Sequence, residues 1–327
     1  MPVSLGRALS ACLAGLLLLA VAGCEEAEPP ARPPLERPEP PPSPAPEPRP
    51  EERPSPPPPS AESQALKLYY QRLQADLLAQ GLLRGDGGGE DTPFTDTMLA
   101  RNFINVALFD EYAARGGSLV AQQRESRLRR WDVPIRMTVE FGASVPSEQV
   151  ARDRASITAY AARLSRLTGV PITQVEEGAN FHVAVLSEDD RAGFEARLRD
   201  IVPGIADSSV RAFMNLPRST LCLVIAFGTG EGSGYSQAVA LIRAEHPELL
   251  RSACIHEELA QGMGLANDSP QARPSIFNDD EEFGLLTRHD ELLLRILYDP
   301  RLRTGMTAAE ATPIVQRIAA ELVGGPV

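Results

Sequence analysis

The order of hydrophobic and polar residues predicts a folded region of mixed helices and strands. In residues 135–141 apolar side chains occupy every second position, which is typical of a strand with one buried face. In residues 147–168 apolar side chains recur at the spacing of one helix face, and Ser147 and Gly169 stand where a helix cap and a helix stop are expected. The two periods therefore occur side by side in one chain.

The same reasoning predicts further elements of both kinds. Six more helices are predicted, at residues 65–83, 95–115, 188–201, 249–264, 290–298 and 308–323. Three more strands are predicted, at residues 181–186, 221–227 and 236–244. Helix 95–115 would begin at Thr95 or Asp96 and end at Gly116 and Gly117, and strand 221–227 is apolar enough to be buried on both faces. The order lacks a strict strand–helix–strand rhythm, so we expect an α+β fold.

Composition changes the interpretation of the first 62 residues. Of the 30 prolines, 17 fall between Pro29 and Pro59, where almost no apolar residue interrupts Pro, Glu, Arg and Ser. Such a segment cannot offset its ordering entropy by burial, so we expect residues 24–62 to form a disordered Pro-rich tether of up to roughly 100 Å. Residues 63–327 then form the globular domain. The net charge of -12 argues against a nucleic-acid partner.

The N-terminus has the layout of an export signal. Arg7 precedes an apolar run at residues 8–21 that is too short to span a membrane, and small residues lead to Cys24. Val21-Ala22-Gly23-Cys24 resembles the lipobox of bacterial lipoproteins. This resemblance implies a signal peptide at residues 1–23, acylation of Cys24, including palmitate, and anchoring to a membrane of the cell envelope, facing the periplasm. The following Glu25 and Glu26 favour the outer over the inner membrane. An ordinary signal peptide with an incidental cysteine is the alternative.

The most informative stretch runs from His256 to Asp268. A zinc peptidase helix carries two ligands one turn apart with a glutamate beside the first. A motif starting at His256 fails because Ala260 stands at the second ligand position. One residue later the spacing fits, because Glu257 and Gln261 take the ligand positions and Glu258 takes the general-base position.

In this register the sequence resembles the metzincins. Gly264 matches the turn after the helix, and Asn267 and Asp268 match a third ligand and its neighbour. The run Ser275-Ile276-Phe277-Asn278 resembles the Met-turn, with Phe277 in place of methionine. The resemblance covers about residues 220–300 and implies a zincin-like domain: a mixed sheet, an active-site-type helix, a Met-turn-like loop and C-terminal helices.

Glu257, Glu258, Gln261 and the run from Gly264 to Asp268 also resemble a second group of proteins. It is a domain-of-unknown-function family of Gram-negative putative lipoproteins with the signature EELxQxLGLxND. That resemblance covers most of residues 65–300. It implies no activity, because none is assigned to the family.

The residues at the ligand positions decide the expected chemistry. Amide oxygens are weak zinc donors, so Glu257, Gln261 and Asn267 offer one anionic ligand and two neutral carbonyls. We expect no metal or other cofactor; zinc is disfavoured, and a hard cation such as calcium would suit the oxygens better. A structural carboxylate is the alternative role for Glu258. His256 points about 100° away from the Glu257 and Gln261 face, which favours a surface or supporting role.

The zincin-like resemblance also bears on the cysteines. It implies that the strand around Cys222 lies beside the helix that contains Cys254, and thiol pairs close to disulfides in an oxidising compartment. A disulfide between these two is therefore expected. Two buried free thiols are the alternative.

The sequence leaves three functions open. The first is a membrane-tethered envelope lipoprotein with a degenerate, zinc-free peptidase-like domain, a pseudo-peptidase that binds a peptide, a glycan or an envelope protein. The second is an active hydrolase that uses Glu258 as general base with an atypical metal site. The third is a purely structural envelope protein. The altered ligand positions favour a protein that is not an active peptidase.

Overall fold

The computed structural model describes residues 58–115, 118–228, 234–278 and 280–324, with side chains except for residues 111–123. Backbone contacts divide the chain into two units, Met1–Arg53 and Pro54–Val327, and all described residues belong to the second. The predicted signal peptide, Cys24 and most of the predicted tether lie outside the described residues.

The described region is an α+β fold with a mixed sheet. The helices are α1 Ala61–Ala79, α2 Asp96–Ala107, α3 Ser147–Thr168, α4 Glu188–Arg191, α5 Phe194–Ile201, α6 Asp207–Met214, α7 Glu248–Gln261, α8 Arg288–Leu297 and α9 Ala308–Val323. The strands are β1 Phe109–Arg115, β2 Ser118–Glu125, β3 Ile135–Phe141, β4 Ile172–Gln174, β5 Phe181–Leu186, β6 Cys222–Gly228 and β7 Tyr235–Arg243.

Five strands form the main sheet in the order β4-β3-β5-β7-β6. Neighbours are parallel except β6, which runs antiparallel to β7 at one edge. β1 and β2 form a separate antiparallel hairpin. Because alternate strand residues point to opposite faces, Phe181, Val183 and Val185 of β5 face a large core, and Ala184 and Leu186 face a smaller one.

Helices cover both faces of the sheet. The large core contains side chains of α2, α3, α7, α8 and α9, and the smaller core contains side chains of α5 and α6. Burial on both faces explains why all six residues of β5 are buried. Helix α7 packs against β6 and β7, so it lies beneath the antiparallel edge of the sheet.

Several predicted elements have the expected bounds. Strand β3, helix α3, strand β5 and helix α9 begin and end where the patterns predict them. Helix α3 ends at Gly169, whose φ of 73° is in the left-handed region. Ser147, however, is the first helical residue and not the cap; Pro146 precedes the helix without a side-chain cap. Helix α1 begins at Ala61, four residues before the predicted start.

The predicted helix 95–115 is wrong in its second half. Helix α2 ends at Ala107, and Phe109–Arg115 is a strand that pairs with Ser118–Glu125. A pair of glycines is typical of a hairpin turn as well as of a helix stop, so the sequence pattern does not distinguish the two structures. The predicted helix 188–201 is likewise two helices, which are separated by Ala192 and Gly193.

The prediction that strand 221–227 is buried on both faces is also wrong. Strand β6 is an edge strand, and its residues from Val224 to Phe227 are partly exposed. A continuous apolar run does not distinguish a central strand from an edge strand that has one row of backbone groups facing a cleft. No predicted element covers helix α6 or strands β2 and β4.

Candidate functional site: a cleft at the sheet edge

A cleft of about 410 Å³ lies between β6 and α7. The six consecutive residues from Leu221 to Ala226 all line it. Because successive strand residues point to opposite faces of a sheet, a cavity that touches all of them must run along the edge of the strand, not over one face. The cleft therefore exposes the row of β6 backbone groups that does not bond to β7.

Helix α7 supplies the opposite wall. Glu257 and Gln261 are one turn apart on the same helix face, and Glu258 follows directly after Glu257. All three line the cleft, as does Asp268 from the loop after the helix. The Gln261 amide donates a hydrogen bond to Asp268 Oδ1 at 3.1 Å. The structure thus brings together four of the residues that the sequence motif singles out.

Asn267 does not belong to this group. Its side-chain amide donates to the carbonyl oxygen of Asn105 at 2.8 Å, and its backbone N–H donates to the carbonyl of Val106 at 3.0 Å. The residue is 1% exposed and does not line the cleft. The predicted role of Asn267 as a vestigial ligand position is therefore wrong: it anchors the loop after α7 to the end of α2.

The zinc implied by the metzincin resemblance does not fit these residues. The Gln261 amide nitrogen donates a hydrogen bond to Asp268, and the Asn267 amide lies outside the cleft. No histidine is among the described residues that line the cleft. Among the described residues, no three His, Cys, Asp or Glu side chains are grouped so that they could hold a metal ion. The donor set lacks the imidazole and thiolate ligands from which zinc sites are mostly built.

His256 has a supporting position. Its ring stacks on Tyr160 with ring centroids 4.0 Å apart, and Nδ1 accepts a hydrogen bond from the backbone N–H of Leu286 at 3.0 Å. Burial and the nearby charge of Arg163 lower the pKa of His256 to about 4. The neutral ring therefore holds the loop before α8 against α7, and it does not line the cleft.

The Met-turn-like run passes below the cleft. Ile276 and Asn278 line the cleft, whereas Phe277 is fully buried in the large core. The fully buried Asp290 carboxylate fixes the run, because it accepts hydrogen bonds from the Ser275 hydroxyl at 2.5 Å and from the Ile276 N–H at 3.1 Å. Asp290 also accepts from the N–H of Thr287, in the capping box of α8. One buried carboxylate thus connects this loop to a helix start.

A group of three cleft residues around Arg129 was among those that the sequence did not predict. Arg129 forms an ion pair with Asp110 and contacts Tyr235. Burial raises the pKa of Tyr235, and the charge of Arg129 offsets part of that increase. All three line the cleft. They lie in the β1 strand, a loop before β3 and the start of β7, so only the strand order brings them together. No local pattern could have indicated them.

A close backbone contact fixes the end of α7 beside this group. Gly264 has φ of 126°, and a Cβ atom there would overlap the carbonyl oxygen of Arg129. The Trp131 indole N–H donates to the Gly262 carbonyl at 2.8 Å, and the Tyr298 hydroxyl donates to the Met263 carbonyl at 2.8 Å. The segment that contains Arg129 therefore crosses directly over the helix end, and glycine is required at position 264.

The disulfide expected from the sequence joins the two walls of the cleft. Cys222 in β6 is bonded to Cys254 in α7, with Cα atoms 5.8 Å apart. Cys222 also lines the cleft. The covalent link therefore sets the separation of the edge strand and the helix at one end of the cavity.

The fold and site define a mixed α+β domain with a cleft along an antiparallel sheet edge. The chain belongs to a family described as protein of unknown function (DUF2927), whose model matches residues 96–317. This match confirms the resemblance to a domain-of-unknown-function family; the lipoprotein part of that resemblance stays a prediction. No curated protein matches the chain. None of the described helices is long and apolar enough to cross a membrane.

Proposed function

We propose that this protein is an envelope lipoprotein whose domain binds an extended polypeptide segment in the cleft along β6 without hydrolysing it. One observation carries the proposal: the cleft follows the edge of β6 through five consecutive strand residues, from Cys222 to Ala226. A free strand edge beside a cavity is the surface to which extended peptides add as a further strand. Backbone hydrogen bonds then supply affinity, and the cleft wall selects side chains.

The shape of the site supports a zincin-like origin for this cleft. An antiparallel edge strand lies above a helix that carries Glu257, Glu258 and Gln261, and the buried loop of Ser275 to Asn278 passes below. The ligand positions hold an amide and a carboxylate where the metzincin pattern has imidazoles. A scaffold of this kind without its zinc donors retains the ability to hold a peptide while the metal chemistry is lost.

Hydrolysis is the second candidate, and the position of Glu258 favours it. This carboxylate is 4% exposed and lines the cleft beside β6, where a general base would be needed. The same position serves equally well as one side of a binding pocket. The two candidates differ in whether a bound peptide is recovered intact.

The experiment measures binding of fluorescein-labelled peptides to the full-length protein by fluorescence anisotropy. The probe is a hexapeptide that alternates valine with serine, and its matched control carries N-methyl groups at alternate backbone nitrogens. We expect the unmodified peptide to bind and the methylated peptide to bind at least about tenfold more weakly, because the methyl groups remove donors that pair with β6. Equal binding of both peptides would contradict strand addition.

Mass spectrometry of the same samples decides between binding and hydrolysis. We expect the peptide to remain intact after prolonged incubation, with or without added zinc or calcium. Cleavage that is abolished by Glu258→Gln would establish the hydrolase and overturn the proposal of a binding domain.

A further inference from the structure

The two sulfurs of the disulfide differ in their access from the cleft. Cys222 lines the cleft and is 8% exposed, and its Sγ lies 3.9 Å from Oε2 of Glu257, which also lines the cleft. Cys254 is 1% exposed and is not among the lining residues. Thiol–disulfide exchange requires a thiolate to reach one of the two sulfurs. A thiolate that enters the cleft therefore meets Cys222 and not Cys254.

The groups around the disulfide distinguish the same two sulfurs. When one sulfur is attacked, the other leaves as a thiolate, so a group that stabilises negative charge on the second sulfur speeds the exchange. The Glu257 carboxylate beside Cys222 disfavours a thiolate there. Cys254 instead has an imidazole beside it, because Nδ1 of His246 lies 3.7 Å from Cys254 Sγ. Cys254 is therefore the better leaving group.

His246 is placed to donate a hydrogen bond to the sulfur of Cys254. Burial and the charges of Arg243 and Arg251 lower the pKa of this buried histidine well below its ordinary value, so its ring is neutral and carries one proton. Its Nε2 is buried and has no hydrogen-bond partner within the part of the chain that the structure describes. A buried N–H without an acceptor is rarer than a buried acceptor without a donor. We therefore place the proton on Nδ1, where it faces Cys254.

We infer that the disulfide is a thiol-exchange site that opens onto the cleft, with Cys222 as the attacked sulfur, Cys254 as the leaving sulfur and His246 as the donor to the leaving thiolate. The co-reactant is a protein dithiol of the Cys-x-x-Cys class. One of its thiolates bonds to Cys222 Sγ, and the electron pair of the broken S–S bond passes to Cys254 Sγ. The N–H of His246 then faces a thiolate, and charge-assisted hydrogen bonds are the strong ones.

The second thiolate of the dithiol completes the exchange. It bonds to the first dithiol sulfur and releases Cys222 as a thiolate, so the dithiol becomes a disulfide. The dithiol gives up two electrons and two protons, and the cysteine pair takes up both. Because the bond between Cys222 and Cys254 joins β6 to α7, its reduction removes the covalent link between the two walls of the cleft.

A trapping experiment on the full-length, oxidised protein identifies the attacked sulfur. The probe is a thioredoxin whose second active-site cysteine is replaced by serine, so that it forms a mixed disulfide and cannot resolve it. Other thiols of the protein are alkylated beforehand, and the reaction is stopped with acid. We expect mass spectrometry to find thioredoxin bonded to Cys222 and Cys254 as a thiol. An adduct at Cys254, or no adduct, would overturn the inference.

The rate of reduction by unmodified thioredoxin shows whether the folded protein reacts. Attack through the cleft predicts a rate that rises in proportion to the thioredoxin concentration and stays the same in urea below the unfolding transition. A rate that is independent of thioredoxin concentration and rises with urea would mean that the bond reacts only after unfolding, which also overturns the inference.

Two substitutions test the role of His246. His246→Asn keeps an N–H donor close to the position of Nδ1, whereas His246→Leu fills the space of the ring without a donor. We expect His246→Leu to be reduced at least about tenfold more slowly than the unmodified protein, and His246→Asn to recover most of the rate. A packing role predicts the opposite order, since asparagine is the smaller side chain. His246→Asn that reacts no faster than His246→Leu would contradict the role assigned to His246.

Discussion

At the scale of single residues, neighbours in the motif after α7 have opposite roles. Asp268 lines the cleft and accepts a hydrogen bond from Gln261, whereas Asn267 is buried and bonds to the end of α2. Spacing along the chain places both residues near the end of α7. It does not decide which of the two adjacent side chains faces the cleft and which is buried against α2. The hydrogen bond from the Asn267 side chain to the carbonyl of Asn105, 162 residues away in sequence, fixes Asn267 in its buried position.

Gly264 offers a test at the same scale. We predict that Gly264→Ala lowers the free energy of unfolding by about 3 kcal/mol or more, because the new Cβ overlaps the Arg129 carbonyl oxygen and φ is 126°. Gly204→Ala is the matched control, since φ there is 79° but no atom lies within 4 Å of the added Cβ. It should cost only about 1 kcal/mol. Urea denaturation measures both, and similar losses would show that backbone strain alone acts at position 264.

At the scale of elements, local patterns located the helix and strand that form the cleft but not the character of the strand. Of the four residues that the metzincin resemblance places at ligand positions or beside them, Glu257, Gln261 and Asp268 line one cleft and Asn267 does not. The exposed edge of β6 could not be predicted, because it depends on β6 pairing with β7 and no other described strand. For the same reason, the sequence could not predict that Arg129 and Tyr235 line the cleft.

The disulfide connects strand β6 to helix α7, and its removal should destabilise the domain. The closed loop has a sequence separation of 32 residues. In the chain-entropy model, the loss of a link of this size destabilises a domain by roughly 3–4 kcal/mol. We expect the double variant Cys222→Ser with Cys254→Ser to lose about this much in urea denaturation. It should also bind the valine–serine hexapeptide more weakly, because β6 is no longer fixed to α7.

Dithiothreitol treatment of the unmodified protein provides the comparison for that variant. The reduced protein should show the same loss of stability, since the link is broken without a substitution. Unchanged stability in both cases would mean that packing of β6 against β7 and α7 alone sets the width of the cleft.

At the scale of the whole molecule, the family match and the proposed anchor concern different parts of the chain. The matched residues 96–317 contain the sheet, the cleft and helix α7, and they leave out α1. Helix α1 joins the predicted tether to the domain: its Ser63 hydroxyl donates to Glu245 at 2.8 Å, and its Tyr70 hydroxyl donates to the Arg218 carbonyl at 3.1 Å. These two hydrogen bonds hold α1 against the rest of the domain.

The proposed anchor makes a prediction of its own. When the full chain is expressed in a Gram-negative host, we expect it to incorporate labelled palmitate and to partition into the detergent phase of Triton X-114. Cys24→Ser should abolish both, because the thiol that would carry the lipid is gone. A control variant, Cys12→Ser, should behave as the unmodified protein does. Detergent partitioning that survives Cys24→Ser would contradict the lipoprotein assignment.

Hydrogen–deuterium exchange tests the central claim most directly, because it reports on the backbone of β6 itself. Addition of the valine–serine hexapeptide should slow exchange in the fragment that contains Cys222–Gly228, since a peptide that adds to the strand edge bonds to the outward amides of β6. Exchange in Phe181–Leu186 should stay the same, because β5 is paired on both sides. Saturating peptide with no slowing at β6 would contradict the account.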